Sequence, residues 1–155
     1  MNNMIKLIVM DVDGTLTDGK IYLSNNGDEY KAFNVKDGYA IKKVRESGII
    51  TCILTGRQSN CVSFRGKELN VDYVIQGSSD KVFSLNALID SLNISYDEVL
   101  YIGDDMNDFD CMRKCSYKAC PNDASIEIKK ISNYVSSKNG GEGAVRDIIE
   151  HFTLI

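Results

Sequence analysis

Residues 5–18, IKLIVMDVDGTLTD, constrain this chain more tightly than any other stretch. The first half, Ile5 through Met10, is compact, apolar and rich in β-branched residues, which suits a buried strand better than a helix. It ends in Asp11 and Asp13 with only Val12 between them, and Gly14 and Thr15 turn the chain where the acids emerge. In an open parallel sheet, ligands bind outside the carboxyl ends of the strands. Two such close anions repel each other and are costly to bury, a problem that a divalent cation removes; Mg²⁺ selects carboxylate oxygens. Beside the cation, Asp11 can stay ionised as a nucleophile, and Asp13 can act as acid and then base. Aspartate and glycine are also ordinary turn residues, so this pair alone does not separate a site from a solvated turn.

The rest of the chain repeats the pattern. Two β-prone runs, 20–23 and 29–35, flank Asn26-Gly27 and predict a hairpin inserted at about 19–35. Ile21, Tyr22, Leu23, Tyr30 and Phe33 give it apolar surface to hide, so a lid or a contact with a neighbouring subunit is expected. A helix is expected over 37–47 and a core strand over 49–54, ending in Thr55-Gly56-Arg57: a hydroxyl, an open amide and a cation. Further expectations are a helix over 64–69, a strand over 71–75 and a helix over 81–92. Lys81 would open that last helix, where the macrodipole disfavours a cation. A strand over 99–102 then delivers Gly103-Asp104-Asp105-Met106-Asn107-Asp108, another strand end crowded with acids. Asp104 is the expected metal ligand alongside Asp11 and Asp13, with Asp105 and Asp108 orienting ligands and water from behind it. A helix to about 114, a strand over 117–120, a helix from 121 to about 131, a short strand at 134–135 and a helix from 144 to about 152 complete the reading. Strands alternating with helices imply an α/β doubly wound, mainly parallel sheet within a single domain over 1–155.

Composition excludes several alternatives. A net charge of −4 with no basic face argues against a nucleic-acid partner. No run approaches a membrane span, and the first apolar run is too short and broken by Lys6 to read as a secretory signal. Five cysteines, an odd number, fit a reducing cytoplasm. Cys111, Cys115 and Cys120 have no histidine or fourth cysteine near them to complete a zinc site, and the single histidine, His151, lacks a partner for nucleophilic chemistry. Asp11, Asp13, Thr55, Gly56, Lys81 and Asp104 all fall at or just past strand ends, where they suit phosphoryl transfer. Mg²⁺ and Lys81 would neutralise phosphate oxygens to which Thr55 and the Gly56 amide donate.

DVDGT, LTGR, the downstream lysine and GDDMND, in this order, resemble the four motifs of the haloacid dehalogenase superfamily of aspartate-nucleophile phosphatases. Over nearly the whole chain, DVDGTLTDGKIYLSNNGDEYKAFNVKDGYAI, QGSSDK, YIGDDMND and NGGEGAVRDI resemble the 3-deoxy-D-manno-octulosonate 8-phosphate phosphatases. That resemblance implies a capless Rossmann-like fold, a Mg²⁺ cofactor, a small anionic sugar-acid phosphate as substrate and a role in lipopolysaccharide biosynthesis. It also implies homotetramers in which the hairpin packs between subunits. By motif match, Arg57 and Arg65 are candidates for binding the sugar-acid carboxylate or hydroxyls, and Arg146 with the glycine-rich loop before it for reaching an adjacent active site. Phosphatases of nine-carbon keto-sugar 9-phosphates resemble the chain almost as well but tend to carry glutamate where Arg57 stands, which tilts the reading to the eight-carbon substrate. Thr15 departs from the bulkier aliphatic residue of many enzymes of this type. A two-component receiver domain also uses clustered acids, a hydroxyl and a lysine, but its acid pair is usually adjacent and its phospho-acceptor lies on a later strand. A catalytically silent assembly module would be favoured by loss of Asp13 or Lys81, and both are present.

Overall fold

In the computed structural model, which describes residues 5–153 and 155, six strands form one sheet, β1 (Leu7–Met10), β4 (Ile50–Leu54), β5 (Tyr73–Ile75), β6 (Val99–Ile102), β7 (Tyr117–Cys120) and β8 (Tyr134–Val135). Their order is β5-β4-β1-β6-β7-β8, and every pair is parallel. The sheet is thus wholly parallel where the sequence implied mainly parallel. β1 sits at its centre because its side chains are apolar on both faces: Leu7, Ile8, Val9 and Met10 have no exposed surface. Ile8 and Met10 face one layer, with Ile53, Leu100 and Ile102, against α1 (Val35–Glu46), α2 (Asn60–Glu68) and α6 (Ala144–Thr153). Leu7 and Val9 face the other, with Cys52, Leu54 and Tyr101, against α3 (Lys81–Leu92), α4 (Met106–Lys114) and α5 (Ile126–Ile131). The chain winds one way from β1 to β5 and the other way from β6 to β8, so the strand order reverses beside β1. Ligand sites of doubly wound sheets lie at such a reversal.

Several boundaries differ from the sequence expectation, each for a local reason. α1 starts at Val35 instead of 37 because the Asn34 carboxamide accepts from Lys36 N and caps it. α2 starts at Asn60 instead of 64 because the Ser59 hydroxyl accepts from Cys61 N. β5 is shorter than 71–75 because Asp72 turns its carboxylate back to Thr51 N and Oγ1. α5 begins at Ile126, not 121, because 121–124 form a turn closed by Ala124 N donating to Pro121 O. The insertion forms β2 (Tyr22–Leu23) and β3 (Glu29–Tyr30), an antiparallel pair shorter than the two apolar runs, turned at Gly27 with φ 84°.

Residues 12–16 make one wide turn in which Thr17 N donates to Val12 O at 3.0 Å. The loop before α6 buttresses it. Gly141 N donates to Thr15 O, and a Cβ on Gly140 would lie 1.9 Å from Gly14 O. Backbone meets backbone there, and only hydrogen fits. Gly140→Ala should therefore cost about 1–3 kcal/mol of stability and lower activity in parallel. A urea midpoint equal to wild type would show that the loop does not press on the turn.

Candidate active site

The carboxyl ends of β1, β4 and β6 are aligned, because Met10 pairs with both Ile53 and Ile102. Asp11 thus leaves the sheet level with Leu54 and Gly103, and Thr55 and Asp104 follow one residue later on either side. Asp108 comes from the first turn of α4, which Asp105 caps by accepting from Met106 N. Lys81 opens α3, where the Asp80 side chain caps Phe83 N.

Lys81 Nζ donates to Asp11 Oδ1 and to Asp108 Oδ1, each at 2.8 Å. Its side chain is only 4% exposed. Burial acts to lower the lysine pKa, but the Asp11 and Asp108 carboxylates outweigh it and hold the amine above its ordinary value. Asp108 is wholly buried and fully committed: Oδ1 also accepts from Tyr101 Oη at 2.8 Å, and Oδ2 from Asp104 N at 3.1 Å. A buried charge is tolerable when its partners saturate it. An ammonium has three donors; two are spent here, and one is left for a ligand.

Asp11, Asp104 and Asp108 bring carboxylate oxygens within 4.8 Å of one another. Burial, followed by the Asp108 charge, pushes Asp11 up to about 6 even with Lys81 beside it. Burial, followed by the charges of Asp11 and Asp108, pushes Asp104 up to about 8, although Thr15 Oγ1 donates to it at 3.1 Å. Carboxyls raised this far by burial and then by one another's charge are a donor set that a hard divalent cation relieves. Since Asp108 is spoken for, the oxygens left for a cation are those of Asp11 and Asp104. Gly14 keeps the space open: a Cβ there would lie 2.0 Å from Asp104 Oδ2. The residues fit Mg²⁺.

The Asp13 carboxylate turns away from this cluster. Its Oδ1 accepts from Lys31 Nζ at 2.5 Å, and its Oδ2 lies 3.8 Å from Arg57 Nε. Asp11, Asp13, Thr55, Gly56, Arg57 and Asp104 line one cleft of about 390 Å³, with Lys81 and Asp108 beneath its floor. Asp105 stands exposed at the rim. Arg65 is not brought here. Its guanidinium donates to Asn34 O at 3.2 Å and Glu68 Oε2 at 2.8 Å and stacks on Phe33. Arg146, expected to reach an adjacent active site, pairs with Glu150 within this chain. Sequence reasoning missed Tyr101, Glu29 and Lys31. Glu29 and Lys31 are two apart in a run that the sequence reads as extended, where such residues share a face, the one signal that could have joined them.

The family model for haloacid dehalogenase-like hydrolases matches residues 8–78 and 67–149. The chain belongs to that family. It is 40% identical over 97% of its length, and 80% of the relative's, to the 3-deoxy-D-manno-octulosonate 8-phosphate phosphatase KdsC of Escherichia coli strain K12. It is similar to a Moraxella catarrhalis 3-deoxy-D-manno-octulosonate 8-phosphate phosphatase in complex with magnesium ion, phosphate ion and KDO, at 40% identity and TM-score 0.94, covering 97% of this chain and 86% of that one. The cobalt-bound deoxy-D-mannose-octulosonate 8-phosphate phosphatase of Haemophilus influenzae superposes with TM-score 0.93 at 31% identity, over 98% of this chain and 89% of that one. Among the described residues no helix is long and apolar enough to cross a membrane.

The crowded acids set a pH dependence. Asp11 and Asp104 have folded pKa values above the unfolded value of 3.8, so the native state binds more protons than the unfolded one between them. Their contribution to metal-free stability therefore falls as pH rises through that window, from about 4 towards about 8. Thermal melts at pH 5.5 and pH 8 should show Mg²⁺ raising Tm more at the higher pH; equal gains would contradict the assigned ligand pair.

Proposed function

We propose that this chain is a Mg²⁺-dependent phosphatase that hydrolyses 3-deoxy-D-manno-octulosonate 8-phosphate through an aspartyl-phosphate on Asp11. The observation that carries the chemistry is the buried Lys81 amine spanning Asp11 and Asp108 beside Asp104. Mg²⁺, held by Asp11 and Asp104, would supply charge neutralisation at the phosphoryl oxygens. Thr55 Oγ1, Gly56 N and the remaining Lys81 proton donate to those oxygens. Asp11 attacks phosphorus in line, the bond from phosphorus to the sugar oxygen breaks, and Asp13 gives that oxygen a proton. Asp13, now a carboxylate, takes a proton from the water that attacks the phosphoaspartate, and the bond between phosphorus and Asp11 breaks to restore the free side chain.

The substrate assignment rests on the relatives and on Arg57 at the cleft edge, a cation suited to a sugar-acid carboxylate. The five unpaired thiols support a cytoplasmic setting. Leu23, Tyr30 and Ile21 are 64%, 58% and 53% exposed on the hairpin, which supports a homotetramer assembled through it; a monomeric mass by light scattering would contradict that assembly.

Wild type with Mg²⁺ should turn over p-nitrophenyl phosphate repeatedly, which a receiver domain or a silent module would not. Phosphate release should be faster from the eight-carbon 8-phosphate than from nine-carbon 9-phosphates. Asp11→Asn should abolish turnover, a fall of at least about 10⁴-fold, while circular dichroism stays native. Equal, feeble release from every sugar would undo the substrate claim, and an active Asp11→Asn would undo the nucleophile.

A further inference from the structure

Four charged side chains close a ring at the mouth of the cleft. Asp13 Oδ1 meets Lys31 Nζ at 2.5 Å, Lys31 Nζ meets Glu29 Oε1 at 2.8 Å, and Glu29 Oε2 meets Arg57 Nη2 at 2.6 Å. Arg57 Nε returns to Asp13 Oδ2 at 3.8 Å. Two members come from the sheet ends and two from the inserted hairpin. The Lys31 side chain is only 2% exposed, and those of Glu29 and Asp13 are 20% and 25% exposed. Desolvation works against the Lys31 charge, yet its two carboxylate partners hold its pKa above the ordinary value. A lysine on a hairpin edge would ordinarily keep its head in water; this one is folded inward onto the turn that carries the acids.

We propose that Lys31 and Glu29 are positioning residues: Lys31 fixes the rotamer of Asp13, and Glu29 fixes Arg57. The inference rests on the phosphatase reading above. With Oδ1 held by Lys31, Asp13 Oδ2 is the oxygen left to pass a proton to the departing sugar oxygen. With Nη2 held by Glu29, the rest of the Arg57 guanidinium is presented to the cleft. The hairpin is then part of the catalytic unit, and its seating governs both proton transfer and substrate orientation. Misplacing such groups by about 1 Å can cost on the order of 10²-fold in rate.

The leaving group separates this role from a merely structural one. p-Nitrophenolate departs without being protonated, whereas a sugar alkoxide needs the proton, and only the sugar acid carries a carboxylate for Arg57. The test measures kcat/KM of the Mg²⁺-loaded full chain for p-nitrophenyl phosphate and for 3-deoxy-D-manno-octulosonate 8-phosphate. Lys31→Met should lower the sugar-phosphate value about 30- to 100-fold and the aryl value by less than about threefold. Lys31→Arg should recover most of the loss. Glu29→Gln, which keeps the size of the side chain, should lower the sugar-phosphate value about tenfold, chiefly through KM. Parallel losses on both substrates, or no loss in either variant, would overturn the inference. Turnover of the aryl ester by wild type is the control: its absence sinks the phosphatase reading, while its presence with parallel losses sinks only this one.

Discussion

A single buried ammonium organises the cleft. Lys81 lies between Asp11 and Asp108, and without it two carboxylates would face each other in a place that water barely reaches. Removing one partner of such a group typically costs about 3–5 kcal/mol. The constellation is stable because each charge has several partners: two carboxylates on the lysine, and a lysine, a tyrosine hydroxyl and a backbone amide on Asp108. What remains unsatisfied is the burial of Asp11 and Asp104 close to one another, and it lies where a cation is needed. The site holds its strain in electrostatics, ready to be relieved by magnesium.

The fold supplies this at little local cost. Register along β1, β4 and β6 aligns three strand ends, so residues as distant in sequence as Asp11, Thr55 and Asp104 line one cleft. Two helix starts add Lys81 and Asp108 from beneath. Glycines then set the clearances. Gly14 leaves room for the Asp104 carboxylate, and Gly140 lets the last loop press on the turn that carries Asp13. Neither position has space for a side chain, so the turn is held from both sides.

Much of this was legible in the sequence, because the decisive signals are local. Apolar runs ending in acids, a hydroxyl or a glycine located the strand ends, and the alternation of strand and helix placed those ends on one edge. The parts that were not legible depend on how distant segments fold back. Arg65 follows LTGR closely enough to invite a role in binding, but α2 turns it onto Phe33 and Asn34, outside the cleft lining. Asp13 stands two residues from Asp11, and its contact with Lys31 is set by the turn at Gly14, which the spacing alone does not show. Glu29 and Lys31 look like the solvated charges of a surface hairpin until the hairpin lies against the cleft. Helix starts shifted wherever a cap residue, Asn34 or Ser59, outweighed the apolar pattern.

The central claim is that Asp11 carries the phosphoryl group. The most direct measurement is a rapid acid quench of the Mg²⁺-loaded protein with ³²P-labelled substrate, followed by mapping of the labelled peptide. The label is expected on Asp11, forming and decaying fast enough to support turnover. Label on Asp13 or Asp104, or steady phosphate release with no labelled protein at any time, would contradict it.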